Sequence, residues 1–405
     1  MDGARAAGRR KHSGRSRDAP VGGRAGRRHP ARGDLRLRAL HAAGLLRPSL
    51  DELVPYEPGK PVEEVQRELG LDRVVKLASN EGPFAPFPAA LEAIERSLAE
   101  ANRYPDGGCW RLRHALAERH RVGFEEVTVC AGADAVIGYV AYATLDPGDE
   151  VVTGWPSFPS YVLDPLKLGA VPIRVPLRDH HFDLEAILDA ITARTKLVFI
   201  ATPNNPTGTM TTRAELDDYF ARVPAHVLTV LDQAYFEYVE SPDYPDAIEE
   251  YAKAGARVLV LRTFSKIFGL AALRVGYGVG PAEVVATIGK VRRAFDVTQP
   301  AQEAALASLD HADEIRHRRE RNRESMSLLL ETLQQHGLQP AGPAVANFVL
   351  ADLGEDAAAL NDALLRRGVV VRPMGAFGAP TALRITVGTP DEIAFLAEQL
   401  AALRT

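Results

Sequence analysis

Lys266 lies in Thr263-Phe264-Ser265-Lys266-Ile267-Phe268-Gly269, directly after the apolar run Val258 to Leu261, which puts it where a buried strand is predicted to end. An ammonium is costly to bury unless it is paired or neutral, and a lysine of lowered pKa is the side chain that forms Schiff bases with carbonyl compounds. Ser265 and Arg274 can both donate to an anion beside it. A surface lysine at a strand end would read the same way, so other residues must decide. Asp232 closes a second apolar strand, Val227 to Leu231, and is followed by Gln233-Ala234-Tyr235. A carboxylate there needs a cationic partner or several donors, and either a protonated ring nitrogen or a simple turn cap satisfies it. Asn204-Asn205-Pro206-Thr207-Gly208 follows the run Leu197 to Ala201 and also makes a good turn. Ala131-Gly132-Ala133-Asp134 joins a strand to a helix. Small residues there let backbone N–H groups close on a phosphate, and the helix N-terminus adds partial positive charge. Asp134 equally suits the first turn of a helix as an acid favouring the dipole.

The elements that must position these residues alternate regularly. Strands are predicted over 127–130, 150–153, 171–175, 197–201, 226–231, 258–261 and 275–279, with helices over 110–120, 133–145, 159–168, 183–191 and 213–221. Short apolar strands separated by helices indicate an α/β domain with a mainly parallel sheet, in which ligands bind outside the carboxyl ends of the strands. From Pro281 the pattern changes to long helices, then to strands over 347–353, 369–372 and 383–387 and a closing helix over 392–403, the pattern of a smaller α+β domain. The expected organisation is a basic extension over 1–44, an arm over 45–79 that includes a strand over 74–79, a large domain over 80–295 and a small domain over 296–405.

Composition is that of an ordinary globular protein, with 46% hydrophobic and 25% charged residues. No apolar run approaches the ~20 residues of a membrane span. Cys109 and Cys130 are the two cysteines, which suggests neither a disulfide framework nor a CxxC metal site and fits a reducing cytoplasm. Residues 1–40 hold 12 Lys/Arg against 3 Asp/Glu, so a net charge of −5 divides into +9 there and −14 elsewhere. That stretch has no apolar period and reads as a disordered, dispensable extension. It lacks the interleaved aromatics of a nucleic-acid arm and the Ser-rich amphipathic pattern of a transit peptide.

Taken together, Gly132-Ala133-Asp134, Asn205-Pro206-Thr207-Gly208, Asp232-x-x-Tyr235 and Ser265-Lys266 with Arg274 occur in that order, each at a strand end. The set resembles the fold-type I pyridoxal-phosphate (PLP) aminotransferases from about Leu45 onward. Asn80-Glu81, Arg103-Tyr104-Pro105, Thr263-Phe264-Ser265-Lys266 and Leu383-Arg384-Ile385-Thr386-Val387-Gly388-Thr389 are similar to the histidinol-phosphate aminotransferase family. The resemblance implies that Lys266 holds PLP as a Schiff base and moves the proton, and that Asp232 keeps the pyridine nitrogen protonated. Asn205 and Tyr235 would bond the ring hydroxyl oxygen, and Phe158 would stack on the ring or else simply pack in the core. The phosphate would sit on the backbone of Ala133 and Asp134 after Gly132, with Thr263, Ser265 and Arg274 as further donors. Tyr104 would reach the phosphate of a neighbouring subunit, which makes the enzyme a homodimer.

On the substrate side the resemblance implies Arg384 for the acidic group, Arg372 as a second cation or else a surface arginine, and Tyr56, Asn80 and Asn347 to complete the pocket. The implied reaction is transamination of L-histidinol phosphate with 2-oxoglutarate. Phenylalanine or tyrosine transamination is the nearest alternative, and a PLP lyase or decarboxylase stands behind it. A ligand-sensing regulator on this fold would need a helix-turn-helix module upstream, for which the Gly/Arg-rich extension is too short. The chain departs from the family pattern at Gln233, where Glu is usual, at Ala272, where Gly is common, and at Phe158, often Tyr.

Overall fold

Short runs of Val, Ile and Leu, bounded by turns, form the strands. The computed structural model describes residues 59–403 together with Arg47, Leu50 and Leu53. The extension expected over 1–44, most of the arm before Gly59 and with it Tyr56 lie outside the described residues. In chain order the first eight strands are β1 (Val75–Lys76), β2 (Val127–Cys130), β3 (Glu150–Trp155), β4 (Val171–Pro176), β5 (Thr195–Ala201), β6 (Leu228–Asp232), β7 (Val258–Thr263) and β8 (Gly276–Val279). All but β1 build one sheet in the order β2-β8-β7-β6-β5-β3-β4. Its five strands from β4 to β7 are parallel, and β8 runs antiparallel to both of its neighbours. Every residue of β2, β6, β7 and β8 is buried, which is why these runs are mostly apolar and show no polar alternation. The mainly parallel α/β architecture expected from the sequence is therefore the one observed.

The remaining strands are β9 (Gln339–Pro340), β10 (Phe348–Asp352), β11 (Val369–Val370), β12 (Arg372–Pro373) and β13 (Ala382–Thr386). Four of them form an antiparallel sheet in the order β12-β13-β10-β9, while β11 pairs in parallel with β1. Two strand expectations change here. The strand expected over 74–79 shrinks to two residues, because at Leu77 the chain passes to the other sheet, its carbonyl accepting the Thr386 N–H at 2.9 Å, and Asn80 takes a left-handed φ of 54°. The strand expected over 369–372 splits, because Val370 pairs with Lys76 while Arg372 pairs with Arg384 in the other sheet.

Two large groups of buried apolar side chains hold these sheets. The first surrounds the seven-stranded sheet, and the second lies against the small one, with Leu329, Leu333, Leu383, Ile385 and Leu396 in it. The helix Gln299–Ser308 packs on the helix Pro88–Ser97 and places Ala301, Ala304 and Ala305 in the first group. The apolar packing changes over within the helix Ala312–Gln335, whose Ile315 joins the first group and whose Met326, Leu329 and Leu333 join the second.

Candidate active site

A cavity of about 210 Å³ opens at the carboxyl ends of β5, β6 and β7, where a sheet of this kind binds ligands. Of the residues singled out in the sequence, Asn80, Ala133, Asp134, Phe158, Asn205, Asp232, Tyr235, Thr263, Ser265, Lys266, Arg274 and Arg384 line it. Gly132 adjoins it. Asn347 stands one residue back, Arg372 lies beyond Arg384, and Tyr104 is elsewhere, 81% exposed and stacked on Phe295 with ring centroids 4.5 Å apart.

Lys266 follows β7 on a turn held by Gly269 N–H donating to the Lys266 carbonyl at 3.0 Å. Its Nζ donates to the Asn80 carbonyl at 3.1 Å. Burial is the largest influence on this ammonium, with the nearby Arg384 guanidinium next, and together they bring its pKa down to about 7. At neutral pH a large fraction of the amine is therefore unprotonated, as a nucleophile toward a carbonyl requires.

Asp232 ends β6 and is buried. Burial pushes its carboxyl up, and two donors oppose that: Tyr161 Oη at 2.7 Å and Ala234 N–H at 2.9 Å. Tyr161 is itself buried, with its ring stacked on Phe199 at 4.8 Å and 9°. It is a site residue that the sequence reading passed over, although it stands three places after Phe158 at the start of the helix Ser160–Leu168. Phe158 packs edge-on against it at 5.7 Å.

The anion end of the cavity is built from backbone. Gly132, with φ of 93°, caps the helix Ala133–Thr144. A Cβ on Gly132 would stand 2.7 Å from Arg274 Nη2, so the guanidinium comes this close only because the position is glycine. Arg274 Nη1 donates to Ser265 Oγ at 3.4 Å and to the Ala271 carbonyl at 3.1 Å, and no carboxylate forms an ion pair with it among the described residues. Thr263 Oγ1 accepts the Ser265 N–H at 3.1 Å and so fixes the turn that carries Ser265 and Lys266. Asp134 is drawn aside, accepting from Ser160 Oγ at 2.5 Å. A guanidinium, a hydroxyl and a helix N-terminus converging without a neutralising acid suit a phosphate. With Lys266 and Asp232 deeper in the same cavity, the donor set fits a phosphorylated aldehyde carrying a basic ring nitrogen.

The far wall comes from the small sheet. Alternation along β13 sends Leu383 and Ile385 into the apolar core and turns Arg384 and Thr386 the other way. Arg384 is buried; it donates through Nη1 to Asn205 Oδ1 and through Nη2 to the Ala78 carbonyl at 2.6 Å. Arg372 faces Arg384 across the register and is also buried, so it is not a surface arginine. Asn80 ties the two sides together. Its N–H donates to Thr386 Oγ1 at 3.0 Å and its Nδ2 to Tyr235 Oη at 2.9 Å, while its carbonyl accepts from Asn347 Nδ2 at 3.2 Å as well as from Lys266. Phe377, which the sequence did not single out, completes the lining near Arg384.

The family model described as aminotransferase class I and II matches residues 72–400. The histidinol-phosphate aminotransferase of Moorella thermoacetica is 43% identical over 344 residues, 85% of this chain and 89% of that protein. Histidinol-phosphate aminotransferase 2 of Pseudomonas fluorescens is 45% identical over 359 residues, 88% of this chain and 96% of that protein. The crystal structure of histidinol-phosphate aminotransferase from Sinorhizobium meliloti in complex with pyridoxal-5′-phosphate superposes with a TM-score of 0.80 at 26% identity, covering 88% of this chain and 98% of that one. Its strand-end lysine, its aspartate and its close relatives place this chain among the class I and II aminotransferases, in the PLP-dependent histidinol-phosphate aminotransferase family.

Proposed function

We propose that the chain transfers the amino group of L-histidinol phosphate to 2-oxoglutarate. The observation that carries this is Arg384, buried at the cavity wall with Arg372 directly across the register, together with relatives of that name at 43% and 45% identity. Two guanidiniums suit the phosphate of one substrate and the two carboxylates of the other. When bound, PLP supplies the electron sink that stabilises the carbanion left on the substrate. The rest belongs to the chain. Lys266 holds and moves the proton at Nζ, with the Asn80 carbonyl 3.1 Å away to orient it. Asp232, held by Tyr161 and Ala234, presents a carboxylate to the ring nitrogen. Tyr235 Oη and the amide of Asn205 serve the ring hydroxyl, and Phe158 the ring face. Ala133, Asp134, Thr263, Ser265 and Arg274 hold the phosphate, and Gly132 lets them converge. Asn80 and Asn347 support the substrate side, and Tyr56 belongs to the same reading.

We further infer a homodimer, in which the exposed Tyr104 serves the neighbouring subunit's cofactor; its 81% exposure and its stacking on Phe295 support this. We read the two apolar groups as a large PLP-binding domain and a small substrate-gripping one, with Ala301, Ala304, Ala305 and Ile315, expected in the small domain, packed in the first group. Both cysteines are free and buried, which agrees with a cytoplasmic setting, and no helix among the described residues is long and apolar enough to cross a membrane. Phe158 and Phe377 in the cavity keep phenylalanine and tyrosine as competing donors. Steady-state kinetics with 2-oxoglutarate and each of the three donors decides: histidinol phosphate should give the highest kcat/KM, and a higher value for phenylalanine would overturn the assignment.

A further inference from the structure

The turn that carries the anion-binding backbone is pinned from behind by Asp296. Its Oδ2 accepts the Ala131 N–H at 2.8 Å, and its Oδ1 accepts the Tyr139 O–H at 2.7 Å. Ala131 precedes the cap residue Gly132, and Tyr139 lies in the helix Ala133–Thr144 itself, so one carboxylate grips both the entry to the helix and its body.

The neighbouring N–H groups are accounted for in turn. Ala131 donates to Asp296, Gly132 donates to the Cys130 carbonyl at 2.7 Å, and Ala135 donates to the Gly132 carbonyl at 3.2 Å. The N–H groups of Ala133 and Asp134 make no hydrogen bond among the described residues, and both residues line the cavity. The residues before Asp296 are anchored to the same region. Arg292 Nη1 donates to the Val129 carbonyl at 2.6 Å, Arg293 N–H approaches Tyr139 Oη at 3.4 Å, and Phe295 stacks on Tyr104. A carboxylate so near a phosphate site opposes the ligand by charge, so its contribution must be geometric.

We propose that Asp296 is a positioning residue for the phosphate cradle: by taking the N–H of Ala131 and the O–H of Tyr139 it sets the turn so that the N–H groups of Ala133 and Asp134 converge on the cofactor phosphate. This rests on the assignment of that cradle to the phosphate given above. Neither Asp296 nor Tyr139 lines the cavity, so neither touches the cofactor.

The test compares PLP with pyridoxal, which has the same aldehyde and ring but no phosphate. Full-length protein stripped of cofactor is titrated with each, followed by the visible absorbance band, for wild type, Asp296→Asn and Tyr139→Phe. Asp296→Asn weakens a hydrogen bond to a charged group but also removes a charge that opposes the phosphate, so the net expectation is an about threefold to tenfold weaker PLP affinity, about 1 kcal/mol. Tyr139→Phe, which keeps the ring and one of the two contacts, should weaken PLP about threefold. Pyridoxal affinity should stay within about twofold for both. Equal weakening of PLP and pyridoxal would show a general structural role and overturn the proposal, as would unchanged PLP affinity in both variants. If Asp296→Asn does not fold, Tyr139→Phe alone carries the same comparison. A wild type that develops no band with PLP would sink the cofactor assignment itself, and the proposal with it.

Discussion

Replacing Tyr161 with phenylalanine removes one hydroxyl and nothing else from the site. The ring keeps its stack on Phe199 at 4.8 Å, while Asp232 loses the 2.7 Å bond to Oδ2 and retains only the Ala234 N–H. Tyr161 is 1% exposed, and Asp232, at 7%, meets solvent only through the cavity. A hydrogen bond to a charged group contributes about 1.5–3 kcal/mol. That corresponds to about a 10- to 150-fold effect, and the remaining backbone donor favours the lower end. Burial already raises the carboxyl pKa and Tyr161 lowers it, so the substitution raises it further. The carboxylate form is then lost at a higher pH than in the wild type, so the defect should grow as pH falls from neutral toward acid. The assay is kcat/KM with histidinol phosphate across that range, alongside PLP titration of the stripped protein. Less than a twofold loss, or a loss equal at both ends of the range, would refute the idea that Tyr161 works through the charge on Asp232.

Three further outcomes follow from the same site. The rate at which stripped protein captures PLP should rise with pH through about 7 and then level off, following the neutral amine of Lys266; a rise that continues toward pH 10 would mean the lysine titrates normally. By linkage, the stripped protein should also gain stability as pH rises from about 7 toward the unfolded lysine value of 10.5, because across that window the unfolded chain binds a proton that the folded chain does not. Gly132→Ala combines a φ of 93° with a Cβ 2.7 Å from Arg274 Nη2, and should cost about 1–3 kcal/mol of backbone strain while displacing the guanidinium. A melting temperature and PLP affinity both equal to wild type would contradict it.

Strand-end chemistry was readable in the sequence because it needs only local patterns. Lys266, Asp232 and Gly132 each follow a run of apolar residues long enough to mark a buried strand, and the ends of parallel strands meet in space. Contacts between distant segments were not readable. Asn80 is expected from the resemblance only to complete the substrate pocket, and nothing local announces its bonds to Tyr235, Lys266, Asn347 and Thr386, from 155 to 306 positions away. Tyr161 and Asp232 are 71 positions apart, and neither local sequence announces the other. The 369–372 stretch reads as one strand because all four residues can be extended, and only its two different partners divide it. Arg372 could be read as buried or exposed from sequence, since a following proline fits either; its register opposite Arg384 decides it.

The helix Ala312–Gln335 spans from the turn that carries Lys266 to the apolar group beneath Arg384. Near its start Arg318 donates to the carbonyls of Ile267, at 2.9 Å, and Ala85, at 2.6 Å, so this anchor lies one residue from Lys266. Its far end, at Leu333, lies in the same buried apolar group as Leu383 and Ile385, the neighbours of Arg384. Fifteen residues at about 1.5 Å each make an arm of about 22 Å, so a tilt of about 5° at Arg318 carries the far end about 2 Å. That is enough to make or break a hydrogen bond to a guanidinium, with almost no movement at Lys266.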